Sequence, residues 1–270
     1  MPTAPIPLQP PMLVIPEGIS EIYASSEAAG HPPRLLLRDT NVSRWQSTGG
    51  TDHSITFRVN GGRPIDCVAL LLANAPESAQ VRLTAGATKA EAESPSPAFA
   101  SPWQPFWASA EPNLEIGALR GFHALVRLPD AHSYEWWTVH VTAAPTLWAT
   151  HLVAGLMRVA AKNYNRDASQ DADDRGTKTY NADGSSSGKR GARFRTASFE
   201  LVWVNETHFE TLFGPLWYLV GTTDNVLVLP NTAESVYLHD RLLFGHFTAQ
   251  TATHQTSKFY AKSFNMLSLI

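Results

Sequence analysis

Cysteine is almost missing: Cys67 is the one thiol among 270 residues. A disulfide framework is therefore excluded, and so is a zinc site built on cysteines. Cys67 lies in the apolar run CVALLL and reads as a buried, inert thiol. Excess charge of either sign is also missing. With 21 Lys and Arg against 24 Asp and Glu, the formal charge is −3. No basic stripe marks a nucleic-acid surface. No apolar run reaches the length of a membrane-spanning helix, and the chain is expected not to insert into a membrane. The N-terminus, MPTAPIPLQPPMLVIPEG, has prolines in place of the basic n-region of a signal peptide. It reads as an extended arm over residues 1–34 of a soluble protein made in a cytoplasm.

Catalytic signatures are equally scarce. His132, His140, His151, His208, His239 and His246 stand in no HExxH or HxH pattern and read as structural or surface groups. There is no GxSxG elbow, and no glycine-rich phosphate cradle opens a helix. GGRPID and GTTDN are turn chemistry. DASQDADDRG resembles a calcium loop only until its sixth and twelfth positions, where Ala172 and Lys178 replace the required glycine and glutamate. No cofactor and no metal are expected, and the chain reads as a non-enzyme. Carboxylate pairs that meet only in space leave a hydrolase open as a remoter alternative.

What the sequence does have is short β-branched and aromatic runs between frequent prolines and glycines, which predicts an all-β protein. Candidate strands are Ser54–Val59, Cys67–Leu72, Gln80–Thr84, Ala124–Leu128 and Trp136–Thr142. CVALLL is apolar on both faces and is expected at the centre of a sandwich. The interval Ala85–Pro105 reads as loop, and a seam is expected near Ala143–Pro145. A second strand set follows: Ala197–Val204, Trp217–Val220, Val226–Leu229, Arg241–Thr248 and Lys258–Leu269, the last two separated by the polar AQTATHQTS. Residues 206–216 suit a short helix packing Phe209, Leu212 and Phe213. Inserted between strands lies a hydrophilic tongue, residues 163–193, with acids early (Asp171, Asp173, Asp174) and bases late (Lys189, Arg190).

Aromatic side chains supply the candidate binding residues. Trp103 and Trp107 flank Phe106 in a proline-bounded loop, and adjacent Trp136 and Trp137 must face opposite sides of a sheet. Core filling is the plain reading of such residues. Exposed beside loops, they stack on sugars or anchor interfaces instead.

From RWQS (Arg44–Ser47) through TDHSITFRVNGGRPIDCVALLLANAPESAQVRLTAG to YEWWTVHVT, residues 35–143 resemble a galactose-binding-like, discoidin-type β-sandwich. The segment RFRTASFELVWVNETHFETLFGPLWYLVGTTDNVLVLPN, followed by HDRLLFGHFTAQ, is similar to the ring domain of distal tail proteins of long-tailed bacteriophages. The resemblance implies a barrel-like ring domain over residues 144–270 with the loop 163–193 inserted. It also implies a structural tail-tip protein of the virion: a homo-oligomer, by analogy a hexameric ring, linking tail tube to the distal receptor-binding apparatus beside hub and tape-measure proteins. The tongue would then grip neighbouring subunits, disordered in the free chain and ordered in the assembly. Growing a loop from four residues to thirty costs only about 2 kcal/mol in closure entropy. The alternative is a carbohydrate-binding protein recognising host-surface glycans through sandwich loops, with Arg44, Trp45, Trp103 and Trp107 as contact residues.

Overall fold

The computed structural model describes residues 9–109, 113–161, 168–189, 191–233, 238–256 and 258–270. The chain divides into two compact units, residues 1–159 with 227–242, and residues 160–226 with 243–270. The seam expected at Ala143–Pro145 lies inside the first unit.

The first unit is a sandwich of two antiparallel sheets. In one, residues 227–229 pair with Met12–Pro16, followed in order by His151–Val159, Ile65–Ala73 and Phe122–His132. In the other, Ile19–Ala24, His53–Val59, Trp136–Thr142 and Gln80–Gly86 run side by side, and Phe99–Ala100 and Gln104–Pro105 both pair with Gln80–Gly86. Val68, Leu70, Val126 and Leu152 from the first sheet share a core with Ile55, Phe57, Leu83, Trp137 and Val139 from the second. Ile65–Ala73 is flanked on both edges and its side chains are buried on both faces, so a nearly unbroken apolar run suits it. Cys67 is buried there, and burial pushes its thiol far above the ordinary range.

Two expectations change here. The N-terminal segment is extended but is no free arm: Met12, Leu13 and Val14 are fully buried between two strands. Prolines bound that strand without interrupting its ladder. The interval Ala85–Pro105 is mainly loop, yet it includes the helical turn Lys89–Ala92, capped by the Thr88 hydroxyl, and two short edge strands.

In the second unit four strands run in the order Ser169–Asp174, Arg193–Asn205, Phe259–Ser268 and Leu243–Thr256, all antiparallel. Among the described residues they do not close into the barrel the resemblance implies. Glu206–His208 and Phe209–Phe213 form the expected helical segment, and Phe209 and Phe213 are buried. The next segment departs from expectation. Leu216–Leu219 is a helical turn, not a strand, because Pro215 fixes the preceding backbone and Gly221 (φ 59°) reverses the chain after it. The polar AQTATHQT also does not separate two strands. It is the outer half of Leu243–Thr256, where both faces meet solvent and Thr supplies the β preference.

The tongue is built as strands. Ser169–Asp174 pairs with residues 193–198, and Thr177–Tyr180 pairs with Ser186–Lys189 as a hairpin exposed at every position. Asp174 bonds the Arg193 guanidinium at 2.8 Å and Asp173 the Arg175 guanidinium at 3.3 Å. The Gly176 amide, then Arg193, holds the Asp174 carboxyl below its usual range. Asp171 accepts from the Ala172 amide at 2.7 Å. Two of the three acids reserved for a neighbour are thus paired within the tongue. Lys189 is exposed opposite Thr177, and Arg190 lies outside the described residues.

Candidate functional site

Strand alternation decides what the second sandwich sheet presents outward. Along Trp136–Thr142, Trp137, Val139 and Val141 are buried, so Trp136, Thr138 and His140 point to the opposite face. The register sets His140 against Arg82, and Trp136 against Arg58. The helical turn Lys89–Ala92 covers the middle of this face, where the Thr84 hydroxyl donates to the Ala92 carbonyl at 2.5 Å. That hydroxyl has one proton to give. The His140 Nε2, 2.9 Å from it, is therefore the donor of that contact, leaving Nδ1 as an acceptor. Burial, reinforced by Arg82, lowers His140 to about 4 and keeps the ring neutral at pH 7.

On the other side of Arg82 from His140 stands Trp103, 39% exposed, with the Arg82 guanidinium 4.6 Å from its ring centroid. The ring is anchored on both sides in sequence. Ser101 donates its amide to Leu83 at 2.8 Å and accepts from the Leu83 amide at 2.9 Å through its hydroxyl. Gln104 pairs with Val81. Arg82 Nε is buried and has no hydrogen-bond partner among the described residues. A braced indole, a fixed guanidinium and a neutral imidazole thus lie on one surface. Such a set can stack on a ring and exchange hydrogen bonds with hydroxyl groups.

At the far side of the helical turn the polar groups satisfy one another. Arg58 pairs with Glu21 at 3.1 Å and Glu135 at 3.2 Å, Tyr23 stacks on Trp136 at 6.2 Å, and the Lys89 ammonium lies 3.9 Å over the Tyr23 ring. This network reads as cover for the sheet.

The four residues singled out from sequence do not come together. Trp45 is a correction: its ring is fully buried in the sandwich core and its N–H donates to the Ser26 carbonyl at 3.2 Å, so it offers no face to a sugar. Arg44 lies 4.6 Å over the Trp148 ring. Trp148 is held by the Asn74 side chain, which accepts from its amide at 2.7 Å and donates to the Thr146 carbonyl at 2.8 Å. Trp107 is near the same turn, donating to the Ala75 carbonyl at 2.9 Å and stacking on Phe122 at 4.4 Å. Its polar edge and one face are thereby used. Trp103 remains the exposed member. Arg82, His140 and Trp148 were not singled out, because a ring–cation pair formed across strands leaves no local spacing to read. Alternation along QVRLT and TVHVT does put Arg82 and His140 on one face.

Other histidines are tied into the scaffold. His53 Nε2 is 2.6 Å from the Ala144 carbonyl, and the Leu72 amide donates to His123 at 3.1 Å. No group of three metal-ligating side chains converges among the described residues.

No family model and no curated protein matches the chain. Among solved structures, it is similar to a family 32 carbohydrate-binding module of C. perfringens NanJ in complex with galactose, at 11% identity and TM-score 0.38, over 53% of this chain and 98% of that one. It is also similar to chitosan-binding module 1 of a Paenibacillus sp. IK-5 chitosanase/glucanase, at 16% identity and TM-score 0.34, over 52% and 96%. Reduced XRCC1 bound to the DNA pol beta catalytic domain is matched at 11% identity and TM-score 0.37, over 53% and 97%. None of these three is a phage tail protein.

Proposed function

We propose that the first unit is a non-catalytic carbohydrate-binding module that takes glycans, such as those of a host surface, on the outer face of its second sheet. The observation that supports this reading is Trp103: a half-exposed indole, rigidly anchored by strand pairing and backed by Arg82 and neutral His140. Sugars need a flat apolar plate for their C–H face and fixed polar groups for their hydroxyls. Both are pre-set here, which limits the entropy lost on binding. A glycan array probed with the full chain tests it. A positive glycan should lose roughly thirtyfold in affinity with Trp103→Ala, the effect of removing one aromatic anchor worth about 2 kcal/mol. A blank array, or a Trp103→Ala protein that binds as well as wild type, would end this proposal.

A second reading, a structural ring subunit of a phage tail tip, is favoured by the tongue. The hairpin of residues 177–189 buries nothing, Tyr180 is 71% exposed, and an isolated two-stranded hairpin is marginal in water. Such an element gains order by gripping another subunit. Sedimentation of the purified chain with and without its tail partners distinguishes this role from that of a monomeric lectin.

A further inference from the structure

In the second unit, strand alternation turns Tyr260, Lys262 and Phe264 toward the helical segment, where Phe209 stacks on Tyr260 at 4.2 Å and Phe213 meets Phe264 at 6.3 Å. Between these aromatic contacts Lys262 is fully buried. Its Nζ lies 3.6 Å from the Trp217 ring centroid and 5.5 Å from that of Phe264, with no hydrogen-bond partner among the described residues. The adjacent strand adds Gln250 on the same face. Its Nε2 donates to the Gly221 carbonyl at 2.7 Å, and its Oε1 is buried without a partner.

The charges around this amine can be named. Burial alone lowers Lys262, to about 8, so at neutral pH it is still an ammonium. Glu206 and Glu210 act on the Tyr260 hydroxyl, and the His254 ring lies against the Tyr260 ring at 4.3 Å, tilted by 45°. Above the ammonium, Trp217 is 42% exposed, and its neighbours Tyr218 and Leu219 are 91% and 47% exposed. Phe209 braces the indole edge at 6.2 Å and 74°. One indole face is thus covered by a buried ammonium and one edge by Phe209, which leaves the opposite face to account for the exposure of the residue.

A cation at one face draws the ring's electron density inward and leaves the opposite face less negative. A second cation loses part of its attraction for that face. An anion gains, because a positive charge lies one ring thickness below, inside a medium that screens poorly. We propose that the outer face of Trp217 is a second binding site, taking an anionic sugar whose ring stacks on the indole and whose carboxylate is attracted by Lys262 from beneath. A peptide needs a groove or a strand edge to satisfy its backbone, and a four-residue helical turn offers neither. This site involves none of the sandwich residues and stands or falls apart from them.

Isothermal titration of the full chain with oligoglucuronate, and with the same oligosaccharide after reduction of its carboxyl groups, tests the inference. The wild type binds the acidic form and prefers it to the reduced one. Trp217→Ala abolishes binding, and Lys262→Met weakens it roughly tenfold without loss of the folded state by circular dichroism. Affinity declines as pH rises through about 8, where Lys262 gives up its proton while the uronate stays ionised. Trp103→Ala leaves all of this unchanged. No binding, equal affinity for both oligosaccharides, or an unaffected Lys262→Met protein overturns the inference. Poly-glutamate binding with the same dependence on Trp217 and Lys262 also overturns it, in favour of a protein partner.

Discussion

Among the described residues no carboxylate or carbonyl meets the Lys262 ammonium, and the faces of Trp217 and Phe264 offset part of its lost hydration. Replacing a buried ion pair with apolar side chains of similar volume is often neutral or stabilises by about 1–4 kcal/mol, and Lys262 lacks even a compensating partner among the described residues. Lys262→Met is therefore expected to raise the stability of the second unit at pH 7. The sign follows from the shift: the folded amine titrates near 8, the unfolded one near 10.5. Between those values the unfolded chain holds more protons, so wild-type stability climbs with pH. The advantage of the Met variant should accordingly shrink from pH 8 to 10.5. Urea titrations of both proteins across that range measure it, and a constant difference would refute this account. At this scale the sequence tells little. Trp45 and Trp103 look alike in local composition, yet one fills the core and the other is half exposed, because burial is decided by strands far apart in sequence.

Elements were more legible than residues, for identifiable reasons. Trp136–Thr142 is legible to the residue because Trp137, Val139 and Val141 alternate into the sandwich core, although Thr138 between them is buried as well. Met12–Pro16 was missed because its flanking prolines outweighed three core residues. The Leu216–Leu219 turn was missed because four apolar residues carry no period, and the decisive signals were Pro215 and Gly221 on either side. The tongue was visible as an insertion by composition alone, but its pairing was not, since solvent-facing strands need no apolar alternation. Its outer hairpin contributes no buried side chain. Deleting residues 177–189 is therefore expected to shift the melting temperature by only about 2 °C, with closure of the shorter loop slightly favourable. Calorimetry of the deletion variant reads this directly. A drop of ten degrees would mean that the hairpin supports the sheet beneath it.

Across the molecule, ionisable groups pull stability in defined directions as pH departs from neutral. In the first unit His151 is buried, with Nε2 2.7 Å from the Asn41 side-chain oxygen, and burial lowers it to about 4. An unfolded histidine titrates near 6.5. Above that value both states are neutral and the contribution is complete. As pH falls from 6.5 toward 4 the unfolded chain takes up the proton first, and stability on the order of 3 kcal/mol is lost. Partly exposed His140 acts in the same direction with smaller weight, while Asp66, raised by burial, opposes it at the acid end. Calorimetric melting of the first unit should fall by about 5–10 °C between pH 7 and pH 4.5. His151→Gln preserves a polar contact to Asn41 but cannot be protonated, and should flatten that decline. If the acid profiles of variant and wild type superimpose, the loss belongs to other groups and the buried imidazole is not the source.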